Sequence, residues 1–258
     1  MMIPYKIEDH MVCLDIETLP GSDRPDPVSD EEFDEYVISK VPKSLKKVES
    51  VNVWMEDHRE ELRDLVVEEK EQIWRKESLK WKLGKVYCVG YAFGERDPGV
   101  LCEDTEEKTL VVLQSLLLER ENAGKLRLFC YGHNYAGFDG PYLWKRAMKH
   151  GLHDLARITR PGKWGKNCGD TMTTFCEDEH QSRISMDELA KWLGLGSGKT
   201  VLPNEYCDIL DIEHGSELNG GLVLDLVESG LGEVVCDYCK NDISVTREIW
   251  RVLKSLGG

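Results

Sequence analysis

Three short stretches of this 258-residue chain place acidic side chains where a fold could gather them. Asp15 and Glu17 stand two apart in MVCLDIET, and residues two apart on an extended strand point the same way, so both can face one cleft. Asn134-Tyr135-Ala136-Gly137-Phe138-Asp139 reads as the turn from a strand into a helix. Tyr238 and Asp242 stand four apart on a helix, which stacks phenol and carboxylate on one face. Gathering such groups without a cation is costly, since two like charges about 4 Å apart repel by roughly 4 kcal/mol at an effective dielectric of about 20. A hard divalent cation removes the repulsion, and oxygen-only ligation suits Mg²⁺ or Mn²⁺ rather than Zn²⁺. Two such ions about 3.5–4 Å apart would stabilise the attacking and leaving oxygens of a phosphodiester in an in-line displacement. Tyr238, with an ordinary pKa of about 10, is expected to be neutral and to orient the attacking water. Each stretch taken singly also reads as a solvated or capping feature.

The elements that must position these residues follow from hydrophobic spacing. Met11 to Ile16 reads as a buried strand stopped by Pro20-Gly21. Val86 to Phe93 and Leu126 to Tyr131 read as further strands, with Val100 to Cys102 able to pair with the former as a hairpin. Helices are expected from the Ser29-x-x-Glu32 capping box to about Lys40, over Glu49–Trp81, Thr105–Glu121 and Phe138–His150, and after the Ser185-x-x-Glu188 box. Two more, Gly220–Glu228 and Glu233–Leu256, close the chain. Strands early and helices late predict an α/β layer fold with one principal core, interrupted by a helical insertion over residues 20–84.

In this order LDIET, N-x-x-x-F-D and Y-x-x-x-D resemble the three motifs of the DEDD superfamily of 3′–5′ exonucleases, and the tyrosine of the third motif resembles its tyrosine-type branch. The wording GHNYAGFDGPYL and YCKND is most similar to the proofreading domains of family B DNA polymerases, and to stand-alone exonucleases related to them in phages and prophages. The resemblance runs from Met11 to Trp250, with residues 20–84 its least familiar part. It implies a ribonuclease-H-like fold, a mixed central sheet flanked by helices, in one exonuclease domain over residues 1–258. It implies that Asp15, Glu17 and Asp242 hold a first metal ion, that Asp15 bridges to a second, and that Asp139 holds the second through water. Tyr238 would position the nucleophilic water, Thr18 and Asn134 would lie near the terminal nucleotide, and 5′-mononucleotides would leave a 3′ end of single-stranded or frayed DNA. Lys199 would contact the DNA backbone, although a solvated loop lysine reads equally well. No polymerase domain is present in the sequence, so a separate polymerase, helicase or recombinase is the expected kind of partner. Two alternatives remain at this point: an RNA exonuclease of the ribonuclease D kind, and a catalytically silent module that binds a nucleic-acid end or a partner protein.

Other signals are weaker. Gly194 to Thr200 (GLGSGKT) lacks the spacing of a phosphate-binding loop and follows a helix. Cys236-x-x-Cys239 has no second pair at zinc-site spacing, so core or surface thiols are expected. Asp170 could be a metal ligand but reads better as a helix cap. Trp164, between Lys163 and Lys166 in a glycine-rich loop, could stack on a base; the other tryptophans mostly show core-like helical spacing. Lys40, Lys43, Lys46 and Lys47 make the insertion readable either as a lid over single-stranded substrate or as a helical hairpin completing the core.

Bulk composition sets the frame. The chain is 41 % apolar and 31 % charged, which fits a soluble globular protein, and its longest apolar run is too short for a membrane span. The N-terminus has no signal-peptide pattern, and nine irregularly spaced cysteines read as free thiols in a reducing cytoplasm. A net charge of −15 argues against tight, sequence-blind coating of nucleic acid. The charge is unevenly spread: Asp23–Glu35 holds seven acids and one arginine, whereas Gly140–Gly169 holds seven basic residues and one acid, Asp154. The basic segment could guide a strand toward the carboxylates.

Overall fold

The computed structural model describes residues 8–162, 167–176 and 183–256. They form two compact units, one made of the chain up to Leu19 and from Lys85 onward, the other of Pro20–Gly84. No helix among the described residues is long and apolar enough to cross a membrane.

The first unit is an α/β structure around a five-stranded mixed sheet in the order β3-β2-β1-β4-β5. Its strands are β1 (Met11–Pro20), β2 (Gly84–Phe93), β3 (Gly99–Leu101), β4 (Phe129–Gly132) and β5 (Gly169–Asp170). β3 runs antiparallel to β2 as the expected hairpin, with Gly90 opposite Val100. β4 runs parallel to β1, pairing Cys13 with Tyr131, and β5 parallel to β4, pairing Gly132 with Asp170. β1 is the central strand and reads as an apolar run for that reason, since both of its faces are covered. β4 starts three residues later than the hydrophobic pattern predicts. Lys125 turns the chain left-handed after the preceding helix, and Leu128 N–H donates to Glu121 Oε1 at 3.2 Å instead of joining a strand partner.

The last helix, Gly232–Leu256, presses Ile243 and Trp250 onto Met11, Cys13, Ala92 and Tyr131 of the sheet. Two glycines permit that approach. A Cβ on Gly90 would stand 2.8 Å from both Cys239 Sγ and Ile243 Cγ1, and one on Gly169 would stand 2.4 Å from the Trp250 ring. Three helices follow β3: α3 (Glu106–Gly124), α4 (Asp139–Lys149) and α5 (His153–Thr159). Glu106 ties this part together, accepting from Val86 N–H and Arg146 and bonding His150 Nε2 at 2.8 Å. The short helices α6 (Thr171–Phe175), α7 (Met186–Trp192), α8 (Asn204–Leu210) and α9 (Val223–Glu228) precede the long last helix, here α10. Of these, α5, α6 and α8 are too short to give a periodic signal in sequence, as is the two-residue β5.

The second unit contains α1 (Asp30–Lys40), with the expected Ser29–Glu32 capping box, and α2 (Val48–Arg75). Its own small core is Phe33, Val37, Leu62 and Val66. Arg59 and Arg63 lie over the Phe33 ring and pair with Asp34 and Asp30. These pairs are exposed and contribute little beside the apolar contact. α2 ends at Arg75, earlier than the charged pattern predicts; a 3₁₀ turn over Lys76–Leu79 follows, with Ser78 Oγ donating to the Arg75 carbonyl.

The seat of α10 on the sheet yields a prediction. Gly90→Ala should lower stability by about 1–3 kcal/mol, the usual cost of overpacking. Gly124→Ala, where a Cβ meets nothing within 4 Å, should be nearly neutral. Urea unfolding of the two variants measures the difference, and equal stabilities would show that α10 does not depend on this close approach.

Candidate functional site

The three acidic stretches converge in the first unit. Asp15 and Glu17 project from the sheet's central strand, Asp139 is the first residue of α4, and Tyr238 and Asp242 lie on the face of α10 that meets the sheet. Glu17, Asp139 and Asp242 keep only 9, 4 and 6 % of their surface exposed, and Asp15 is half-buried. Burial on this scale is rare for unpaired carboxylates. No arginine or lysine is found in an ion pair with any of the four among the described residues.

Their protonation reflects this. Burial raises the Asp15 carboxyl well above its ordinary range, with a further push from the Asp139 charge. Burial does the same to Glu17, helped by the charges of Asp15, Asp242 and Asp139. Asp139 is pushed up to about 8 by burial, although backbone N–H groups, including that of Ile16, oppose the shift. Asp242 is likewise pushed up to about 8, first by burial and then by Asp15, against a hydrogen bond from Tyr238. The Tyr238 phenol is itself raised by burial and by the neighbouring carboxylates, so it is a neutral donor at pH 7.

Each group is held in place locally. Ile16 N–H donates to Asp139 Oδ1 at 3.2 Å, joining β1 directly to the start of α4. Asn134 sits in the left-handed region at φ 58°, and its carbonyl accepts from Gly137 and Phe138 N–H, making the turn that delivers Asp139. That turn is braced by Asp170, whose carboxylate accepts from Asn134 N–H (3.1 Å) and Ala136 N–H (2.9 Å) while capping α6 through Met172 and Thr173 N–H. Asp170 is thus a cap and brace. His133 reinforces the same corner through Thr171 Oγ1 and the Ile184 carbonyl.

The residues expected near substrate fare unevenly. Thr18 lies half-buried at the end of β1, beside Glu17. The Asn134 amide oxygen lies where a Gly137 Cβ would come within 2.4 Å, next to the turn its backbone makes. Lys199 is in an ion pair with Glu217, so its charge is already partly neutralised. Its loop is pinned at Gly198, whose N–H donates to Asp187 Oδ1 and whose carbonyl accepts from Asn241 Nδ2 at 2.7 Å. Trp164, with Lys163 and Lys166, lies outside the described residues. Within the basic stretch Arg146 is buried against Glu106 and Arg157 is paired with Glu121, so these two charges are spent on the fold. Trp192 departs from the core-like spacing of the tryptophans: it is 69 % exposed, in edge contact with Phe175.

One group belongs to the site although no role was expected of it. Cys239 donates to Asp15 Oδ2 at 3.4 Å, and ligand atoms of Asp15, Glu17 and Cys239 lie within 4.8 Å of one another. The signal was in the spacing, since Cys239 stands three residues before Asp242 on the same helical face. None of the nine cysteines is in a disulfide.

The carboxylate oxygens suit a hard divalent cation, with those of Asp15 and Glu17 close enough to share one and those of Asp139 and Asp242 outside that 4.8 Å set. Among the described residues the four carboxylates have no ion-pair partner, and Asp242 Oδ1 is buried with no hydrogen-bond partner. Such an orphaned oxygen costs about 1–3 kcal/mol, more when ionised, unless something binds it. No family model matches the chain, and no curated protein matches it.

The carboxyl shifts fix the sign of a pH effect. Groups near pKa 8 when folded and about 4 when unfolded give the metal-free folded state extra protons between those values, so its stability falls as pH rises. Asp242→Asn cannot titrate there. Its stability relative to the parent should therefore increase from pH 5 to pH 8 in chelator, as read by thermal melting. An advantage that stayed constant or shrank would contradict the shifted carboxyls.

Proposed function

We propose that this protein is a metal-dependent 3′–5′ exonuclease of the DEDD superfamily, tyrosine-type branch, with a ribonuclease-H-like fold, acting on single-stranded DNA or frayed 3′ ends. The observation that carries the reading is the meeting of Asp15, Glu17, Asp139 and Asp242, from three separated motifs, in one largely buried cluster with no ion-pair partner among the described residues. A mixed five-stranded sheet flanked by helices is the architecture that this reading requires.

Asp15, Glu17 and Asp242 would hold one Mg²⁺ or Mn²⁺, and Asp15 with Asp139 the second. Bound there, the pair supplies Lewis-acid stabilisation of the charge that develops on the phosphodiester oxygens. The chain's own groups do the positioning. Tyr238, kept neutral beside Asp242, would turn its single O–H to the attacking water and orient it; with its proton held this firmly it is no general base. The Ile16 N–H to Asp139 bond fixes the spacing between the two halves of the site. Asp170 holds the turn that presents Asn134 and Asp139, while Thr18 and Asn134 face the terminal nucleotide. Thr18 and Asn134 would select the 3′ end rather than the chain interior. A separate polymerase, helicase or recombinase would deliver such ends.

The test is degradation of 5′-labelled single-stranded DNA and RNA in Mg²⁺, Mn²⁺ or chelator. A metal-dependent ladder shortening from the 3′ end of DNA is expected. Asp15→Asn should abolish it, and Tyr238→Phe should slow it by about 10²-fold, the scale of a misplaced nucleophile. Preferential loss of RNA would move the substrate to the ribonuclease D kind. No shortening of either polymer in any metal would leave a silent binding module.

A further inference from the structure

Cys239 is not needed by the chemistry proposed above. Mg²⁺ and Mn²⁺ take oxygen ligands, and the packing of Cys239 in the apolar cluster with Cys88 could be met by a small apolar side chain. Yet its sulfur points at a metal-ligand carboxylate, 3.4 Å from Asp15 Oδ2. A tetrahedral Zn²⁺ with bonds of about 2.3 Å to sulfur and about 2.0 Å to oxygen needs a sulfur–oxygen edge of about 3.5 Å. Glu17 offers the third ligand atom of a set whose members all lie within 4.8 Å of one another. The buried, unpartnered Asp242 Oδ1, three residues along the same helix face, is a further acceptor with no occupant from the chain.

We propose that Cys239, Asp15 and Glu17 form a thiophilic binding mode of the metal centre, which takes Zn²⁺ and so silences the protein. The inference rests on the carboxylate centre proposed above and adds the regulation of that site. On binding, the Cys239 thiol gives its proton to water and its sulfur takes a coordinate bond to Zn²⁺, with no change of oxidation state. Asp15 and Glu17 change from ligands of the hard cations to ligands of zinc, so the two states exclude each other. The thiolate is what makes the exchange selective: borderline-soft Zn²⁺ gains a sulfur ligand that Mg²⁺ has little use for.

Two measurements on the full chain test this. Co²⁺, as a spectroscopic stand-in for Zn²⁺, should give a thiolate-to-cobalt charge-transfer band in the near ultraviolet with the parent protein. Cys239→Ser should lose the band and Cys102→Ser should keep it. In the parent, excess Mn²⁺ should abolish the band, because both ions need Asp15 and Glu17; this arm stands even if the Cys239 variant fails to fold. With Mg²⁺ present, Zn²⁺ should stop DNA degradation. The half-inhibiting concentration should rise in Cys239→Ser by at least the 10–100-fold typical of losing an outer-shell partner, each protein being compared with its own zinc-free rate. No band in the parent, a band of equal strength in Cys239→Ser, or a band indifferent to Mn²⁺ overturns the proposal. A Mn²⁺-sensitive band without any nuclease activity would keep the thiol site and remove the exonuclease reading; nuclease activity without a band would do the reverse.

Discussion

Mutual repulsion among four gathered carboxylates, three of them buried and Asp15 half-buried, is the constraint around which this site is arranged. Among the described residues no cationic side chain pairs with Asp15, Glu17, Asp139 or Asp242, and burial holds protons at pH 7 on Asp139 and Asp242, which ordinarily lose them near pH 4. A purely structural cluster would more cheaply be built from apolar side chains of similar size.

The surrounding architecture keeps the cluster from relaxing. β1 is the middle strand of the sheet, anchored to β4 from Met11 to Cys13, so Asp15 and Glu17 leave from a strand held in the sheet's centre. α10 is seated by Ile243 and Trp250 and by the absence of side chains at Gly90 and Gly169, which fixes Tyr238, Cys239 and Asp242 against that strand. The third support is the β4–α4 turn, held by Asp170 through backbone N–H groups alone, so that the neighbouring side chains stay available. Rigid elements thus hold the acids at a separation that solvent or self-repulsion would otherwise widen.

Much of this was legible in the sequence because it rests on period. The two-residue spacing of Asp15 and Glu17, the four-residue spacing of Tyr238 and Asp242 and the two Ser-x-x-Glu boxes each translate directly into a face or a helix start. The two-residue strand Gly169–Asp170 and helices such as Thr171–Phe175 are held by tertiary bonds that no window of sequence encodes. Arg146 shows the converse: local charge suggested a guide for a strand, but Glu106, distant in sequence, holds that charge in the fold, and Lys199 is likewise in an ion pair, with Glu217. The helical period also brought Cys239 onto the acidic face, yet only the fold shows its sulfur against Asp15.

The central claim is that the carboxylates are protonated until a cation arrives, and it can be measured as protons released. Titrating Mn²⁺ calorimetrically at pH 7 in buffers of different ionisation enthalpy gives the number of protons lost on binding. With two carboxyls near pKa 8, the account predicts release of about one or more protons per chain, and a loss of that release in Asp139→Asn/Asp242→Asn. Mn²⁺ binding with a heat independent of the buffer, or no binding at all, would contradict it.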